Sequence, residues 1–201
     1  MAVATIDAFH GDTKRFWDFY RPRFHDLADK EPNPAHTVLA DLERRGLLEA
    51  VITQNIDRLH RKAGSEEVIE VHGSIATASC TSCGERYPLE RVESLFDAEG
   101  IAACESCGGK VKPDVVLFGE LLPADAMARA EQLCSGADLL LCIGSSLEVH
   151  PVAGLPELTL ARGGRIAIVT KSSTPYDSVA AVRLDGDVTD ELQAVLAALD
   201  D

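Results

Sequence analysis

Positive charge is what this chain has least of. Lysine occurs 6 times and arginine 13 times, against 33 aspartates and glutamates, for a net charge of −14. Binding to a phosphate backbone needs clustered positive charge, so nucleic-acid binders are disfavoured as a class. The same balance suits a basic partner such as a lysine-rich protein segment, and equally suits solubility or high salt. No apolar run approaches the roughly 18 residues of a membrane span. The opening stretch MAVATIDAFHGDTKRF has no basic start followed by an apolar segment, so no secretory signal is expected and the cytoplasm is the expected compartment. Internal repeats and low-complexity stretches are absent too.

What is present is ordinary globular material. Hydrophobic residues make up 46% and charged residues 26% of 201 positions, enough for one domain with a small appendage. Six cysteines occur, and three disulfides are not expected in a cytoplasmic chain of this size. Cys134 (EQLCSG) and Cys142 (LLLCIG) stand in apolar contexts and read as core. The other four form CTSC and CESC, separated by 20 residues. Cys80, Cys83, Cys104 and Cys107 therefore have the spacing of a four-thiolate zinc site. Gly84 and Gly108 follow each pair, where tight turns need room. A closed four-thiolate shell leaves no open position for substrate, so the zinc is expected to be structural. A redox pair and a nucleic-acid ribbon are the competing readings; the two matched pairs and the acidic charge oppose them.

After residue 33 helix signals alternate with short apolar runs. PNPAHTVLADLERRG offers Asn33 as N-cap, Pro34 in the first turn, a stripe of Val38, Leu39 and Leu42, and Gly46 as stop. LEAVITQ and VIEVHG read as strands around IDRLHRKAG, a short helix closed by Gly64. VVLF, DLLLCIG and RIAIVT are further buried runs between ADAMARAEQLCSG and AGLPELTLARGG. DVTDELQAVLAALD closes the chain as a helix with Leu192, Val195, Leu196 and Leu199 on its apolar side. Such alternation predicts βαβ units and a parallel sheet. Residues 74–113 break the pattern. They hold the cysteines, a charged helix candidate (LERVESLF) and little else for a core, and read as a metal-held insertion. Six of the ten aromatics fall in the first 24 residues, with Phe16, Tyr20 and Phe24 at helical spacing and no visible partner.

Three predicted strand ends carry polar chemistry. Ligands of open α/β sheets sit outside the carboxyl ends of the strands. One end bears Thr53, Gln54, Asn55 and Asp57, and another bears His72 followed by Gly73. An imidazole titrates near neutrality and can take a proton from a hydroxyl, while amides and a carboxylate suit ribose hydroxyls and a carboxamide. Alone, such a histidine is a plain loop residue; the TQN-D cluster makes it a candidate base. Gly144, Ser145 and Ser146 end a third strand, where backbone N–H groups and hydroxyls can hold phosphate or simply form a turn.

TQNIDRLH-x-AG, VHG, the two CxxC pairs, KPDVVLFGE, GSSLEVHPVAGLP and TPYD stand in the order found in sirtuins, and the chain resembles that family over nearly its whole length. The resemblance implies a Rossmann-like parallel sheet with helices on both faces, made from residues 1–73 and 114–201, with a zinc-binding module at 74–113. It implies an NAD-dependent protein lysine deacylase that moves the acyl group of acyl-lysine to ADP-ribose and releases nicotinamide. His72 matches the catalytic base. Gln54, Asn55, Ile56 and Asp57 match the strip around the ribose and nicotinamide, and Gly144, Ser145 and Ser146 the phosphate and adenosine-ribose loop. Thr170, Lys171 and Ser172 match positions bordering the adenosine, and Val188 a backbone contact to adenine. Val116, Phe118, Gly119, Glu120 and Val149 match the cleft where an acylated peptide adds as a strand. NAD, one zinc and acylated protein substrates are thus implied, with no direct nucleic-acid or membrane contact.

Two positions depart from the family pattern. Thr170 stands where asparagine is usual, and a hydroxyl replaces one hydrogen bond but not an amide's pair. Sirtuins also begin with a strand and a GAGxSxxSGIPxFR loop around the pyrophosphate, and here no two glycines are spaced as GxG. Either the sequence is a fragment or begins in the wrong place, or the protein has lost part of its cofactor site. The alternative to an enzyme is therefore a catalytically impaired or dead scaffold that keeps the fold and acyl-lysine binding. Tyr20 and Arg23 read as helix surface and packing.

Overall fold

A computed structural model of the protein describes residues 3–200. In chain order its elements are α1 (Ile6–Gly11), α2 (Thr13–Ala28), α3 (Pro34–Arg44), β1 (Val51–Thr53), α4 (Leu59–Lys62), β2 (Val68–Glu70), β3 (Gly73–Cys80), β4 (Arg86–Pro88), α5 (Leu89–Val92) and β5 (Val111–Val115). Then come α6 (Ala124–Gly136), β6 (Leu139–Ile143), α7 (Leu155–Ala161), β7 (Arg165–Val169), β8 (Val182–Leu184) and α8 (Val188–Ala198). Packing divides them into two compact units. The first holds the chain up to Glu31, Thr53–Arg58 and His72–Pro123; the second holds Pro32–Ile52, Leu59–Val71 and the chain from Ala124 on.

The first unit is built on the sheet β4-β3-β5, antiparallel throughout, with Ala78 opposite Tyr87 on one side and Pro113 on the other. Helix α2 starts at Asp12, whose side chain accepts from the Arg15 N–H at 3.0 Å, and it lays its aromatic stripe on this sheet. Phe9, Phe16, Trp17 and Phe24 share one buried cluster with Ile75, Ala78, Tyr87, Val92, Leu95, Ala102 and Val111. Trp17 Nε1 donates to the Val111 carbonyl at 3.3 Å, and its ring meets Phe96 edge-on at 5.2 Å. Arg21 pairs with Glu93 and lies 4.4 Å from the Phe96 ring. Two expectations are corrected here. The N-terminal aromatics do have a partner, and the cysteine-bearing stretch has an apolar core, because each supplies the half that the other lacks. Tyr20 stacks on Phe24 and Arg23 on Phe19, as helix packing.

A third correction concerns VVLF. Strand β5 ends at its first residue, Val115, and belongs to this antiparallel sheet. The apolar run continues because Leu117 is buried in the same cluster, while Phe118 is 68% exposed.

The second unit contains a parallel sheet, β6-β7-β8, with Leu140 opposite Ile166 and Ala167 opposite Val182. Four of the five residues of β7 are buried, as a central parallel strand covered on both faces requires. On β6, Leu140 and Cys142 join a cluster with Leu160 of α7, whereas Ile143 joins one formed by α3 and α8. Neighbouring strand residues point to opposite faces, so helices cover both. Strands β1 and β2 pair with each other. Helix α3 follows its signals: Asn33 accepts from the His36 N–H at 3.2 Å, and Gly46 takes φ +71°. Helix α8 is shallower than its stripe suggested, with Leu192 buried but Leu199 53% exposed. Strand β8 has no counterpart in the apolar runs, since its three residues centre on Arg183. Cys134 and Cys142 are core residues at 1% and 7% exposure, and burial pushes their thiols up to about 11 and about 12.

Candidate active site and metal centre

Two turns of the same design bring the four cysteines together. The Gly84 N–H donates to the Cys80 carbonyl at 3.0 Å and the Gly108 N–H to the Cys104 carbonyl at 2.9 Å, with both glycines at positive φ. The sulfurs of Cys80 and Cys107 lie 3.5 Å apart and those of Cys83 and Cys104 3.6 Å, and all four fall within 4.8 Å of one another. Zinc with bonds of about 2.3 Å needs tetrahedral sulfurs about 3.8 Å apart, so the set fits one ion. Backbone N–H groups of Ser82 and Gly109 point at Cys80 and Cys107 sulfur, each at 3.4 Å. The Tyr87 hydroxyl meets Cys104 sulfur at 3.2 Å, and this bond holds the Cys104 thiol down at about 6. Thiolate is the form a metal takes. Tyr87 was not foreseen, since 17 residues of chain separate it from its sulfur. Gly109 is equally specific: a Cβ there would lie 2.9 Å from Cys80 sulfur.

The same unit carries His72 and the TQN-D loop. The His72 ring places Nδ1 3.1 Å from the Gln54 carbonyl. A carbonyl only accepts, so Nδ1 carries the hydrogen and the neutral ring keeps its lone pair on Nε2. The loop is held at both ends. The Asn55 N–H donates to Thr53 Oγ1 at 3.1 Å, and the Ile75 N–H to the Ile56 carbonyl at 3.1 Å. Asn55 is exposed, and Gln54, Ile56 and Asp57 are half-buried. Gly73 is a second residue whose importance emerges only in three dimensions. It takes φ +71°, and a Cβ would sit 2.0 Å from the Asp114 carbonyl oxygen, so only glycine lets β3 leave His72 in this register.

In the second unit three predicted groups gather at one edge, the carboxyl ends of β6, β7 and β8. Gly144 follows β6 at φ +61°, with its N–H on the Val169 carbonyl at 2.9 Å, and Ser145 Oγ accepts from the Leu147 N–H at 3.1 Å. Thr170 follows β7, buried at 6%, with its N–H on the Leu184 carbonyl at 3.0 Å and its Oγ1 3.4 Å from the Ser172 N–H. Val188 opens α8 behind Asp187, which accepts from the Thr189 N–H at 3.0 Å and from Lys171 Nζ at 3.0 Å. This is the edge at which parallel sheets bind ligands.

Of the expected peptide-binding residues, Val116, Phe118, Gly119 and Glu120 form one continuous segment of the first unit. The Val116 N–H donates to the His72 carbonyl at 2.9 Å, and the Phe118 N–H to the Ala4 carbonyl at 2.9 Å. Glu120 turns its carboxylate inward, onto Lys112 and the Leu117 N–H. Val149 belongs to the second unit and is 55% exposed.

A family model described as the Sir2 family matches residues 1–151. An NAD-dependent protein deacetylase of Thermotoga maritima is 40% identical over 194 residues, covering 96% of this chain and 79% of that protein. An NAD-dependent protein deacylase of Thermococcus kodakarensis is 39% identical over 202 residues, covering 99% of this chain and 79% of that protein. Among solved structures, Sir2 bound to an acetylated peptide matches with a TM-score of 0.95 at 39% identity, covering 98% of this chain and 83% of that one.

Proposed function

The chain belongs to the Sir2 family, and on that premise we propose that it is an NAD-dependent protein lysine deacylase, working as a deacetylase on acyl-lysine segments of proteins. NAD is the cosubstrate, and the four cysteines hold one structural zinc. With both substrates bound, the acyl oxygen would displace nicotinamide from the ribose carbon, a ribose hydroxyl would then attack the acyl carbon, and one water would be consumed as the amide C–N bond breaks to free the lysine and leave the acyl group on ADP-ribose. His72 Nε2 takes the proton of a ribose hydroxyl. The observation that carries this role is the 3.1 Å bond from Nδ1 to the Gln54 carbonyl, which leaves Nε2 as the basic nitrogen. Gln54, Asn55, Ile56 and Asp57 serve the nicotinamide and its ribose. Gly144, Ser145 and Ser146 serve the phosphates, and Thr170, Lys171, Ser172 and Val188 the adenosine. Their gathering at the carboxyl edge of a parallel sheet supports that reading. Val116, Phe118, Gly119, Glu120 and Val149 serve the peptide.

As building blocks, we assign residues 1–73 and 114–201 to the nucleotide-binding body and 74–113 to the zinc module. The net charge of −14 supports attraction to lysine-rich substrates and opposes direct nucleic-acid binding. No helix among the described residues is long and apolar enough to cross a membrane. The cytoplasm is the compartment we propose, and the membrane is not among the proposed partners.

The test is nicotinamide release from NAD with an acetyl-lysine peptide, wild type against His72→Ala. Release should depend on the peptide and fall by about 100-fold or more in the mutant, the usual scale of a lost general base. Peptide binding without release from either protein would support the scaffold alternative instead.

A further inference from the structure

Lys112 lies on β5, yet its ammonium is directed away from solvent, with 14% of the side chain exposed. An ammonium has three hydrogens to donate, and this one finds three acceptors. They are the Pro113 carbonyl at 3.1 Å, the Val115 carbonyl at 2.8 Å and Glu120 Oε2 at 3.0 Å. The same Oε2 accepts from the Leu117 N–H at 2.8 Å. One carboxylate oxygen thus ties a shielded cation to the backbone of the segment that follows β5.

That segment needs holding. The strand ends at Val115, and beyond it one edge of the segment has a single bridge, Phe118 with Thr5, in which the Phe118 N–H meets the Ala4 carbonyl at 2.9 Å and the Ile6 N–H meets the Phe118 carbonyl at 3.0 Å. On the other side the Val116 N–H is bonded to the carbonyl of His72 at 2.9 Å. We propose that Lys112, acting with Glu120, is a positioning residue for the acyl-lysine-binding segment. The ion pair holds Val115–Leu117 in place, and through Val116 sets where the segment lies against the His72 backbone. Glu120 then acts through Lys112 and Leu117 instead of touching the substrate. This rests on the deacylase reading above. A solvent-exposed ion pair would carry little weight. A shielded pair whose three ammonium hydrogens are all engaged behaves differently, because removing one partner leaves the other charge uncompensated.

The experiment compares wild type with Lys112→Met, which keeps the stem and removes the charge, and Lys112→Arg, which restores it. A fluorescent acetyl-lysine peptide is titrated directly, and nicotinamide release gives KM for peptide and for NAD. Lys112→Met should weaken peptide binding by about tenfold or more, as loss of a shielded charged partner does. KM for NAD and zinc content should stay at the wild-type values, and Lys112→Arg should recover most of the loss. If Lys112→Met is not obtained folded, Glu120→Gln, which keeps an acceptor but not the charge, must show the same selective loss. Wild-type peptide affinity in the folded, zinc-loaded variant overturns the inference alone. So does an equal rise of both KM values with a lowered Tm and no rescue by arginine, which is the signature of general destabilisation. A wild-type chain that binds no acetyl-lysine peptide overturns the deacylase reading and this inference together.

Discussion

His72 has two jobs, and different atoms do them. Its ring donates to the Gln54 carbonyl, which selects the tautomer, while its backbone carbonyl anchors Val116. Substituting the ring should therefore remove chemistry and leave the peptide segment in place, which separates His72→Ala from changes at Lys112. Asp187 divides its work in a similar way, capping α8 with one oxygen and holding Lys171 with the other. The hydrogen bond from Lys171, and then that from Thr189, lower its pKa below the usual carboxylate value. A depressed folded-state pKa contributes stability above the unfolded pKa of about 4, and that contribution disappears as pH falls through the folded value. Urea midpoints of wild type and Asp187→Ala should accordingly differ at pH 7 and converge below pH about 4. A gap that stays undiminished at low pH would mean that the carboxylate charge contributes nothing.

At the scale of elements, the register of β3 is the sensitive point. Gly73 lies between His72 and the strand, at φ +71° and with the Asp114 carbonyl oxygen where a Cβ would be. Left-handed backbone and a forced shift of β5 both act against any side chain. Gly73→Ala should cost at least about 2 kcal/mol and reduce nicotinamide release together with stability, read by urea unfolding and the peptide assay. Unchanged stability would show that β5 yields freely. Much of this scale was legible beforehand. The capping residues of α3 and the stop at Gly46 are local chemistry, and β7 announces itself as an unbroken apolar run. VVLF misled because burial of Leu117 in the cluster that holds the α2 aromatics looks, in one dimension, like a strand continuing.

For the whole molecule, the chief consequence of the fold is that zinc and the N-terminal aromatics share one core. Trp17 is the only tryptophan, and it is buried in the cluster that contains Cys80 and Cys104. Zinc binding is worth on the order of 10 kcal/mol to a site of this kind. Chelating the metal should therefore move Trp17 emission to the red as the first unit opens, while the helical circular dichroism from the second unit largely remains. Loss of both signals in one step would show that the two units unfold as one. An unmoved tryptophan would show that the aromatic core stands without the metal.

What the chain determines by itself is what short-range chemistry can encode: two CxxC pairs at a fixed spacing, caps and stops, apolar runs of strand length, and polar groups at their carboxyl ends. These sufficed for the α/β class and the four clustered cysteines, because each rests on local patterns that repeat along the chain. Tertiary structure alone decided which groups meet across long intervals. Trp17 reaches Val111 across 94 residues, Tyr87 reaches Cys104, and His72 turns its Nδ1 to a carbonyl 18 residues earlier. No periodicity carries such pairings. They arise when buried faces from distant segments close on one another and leave each polar atom to find a partner or lose one.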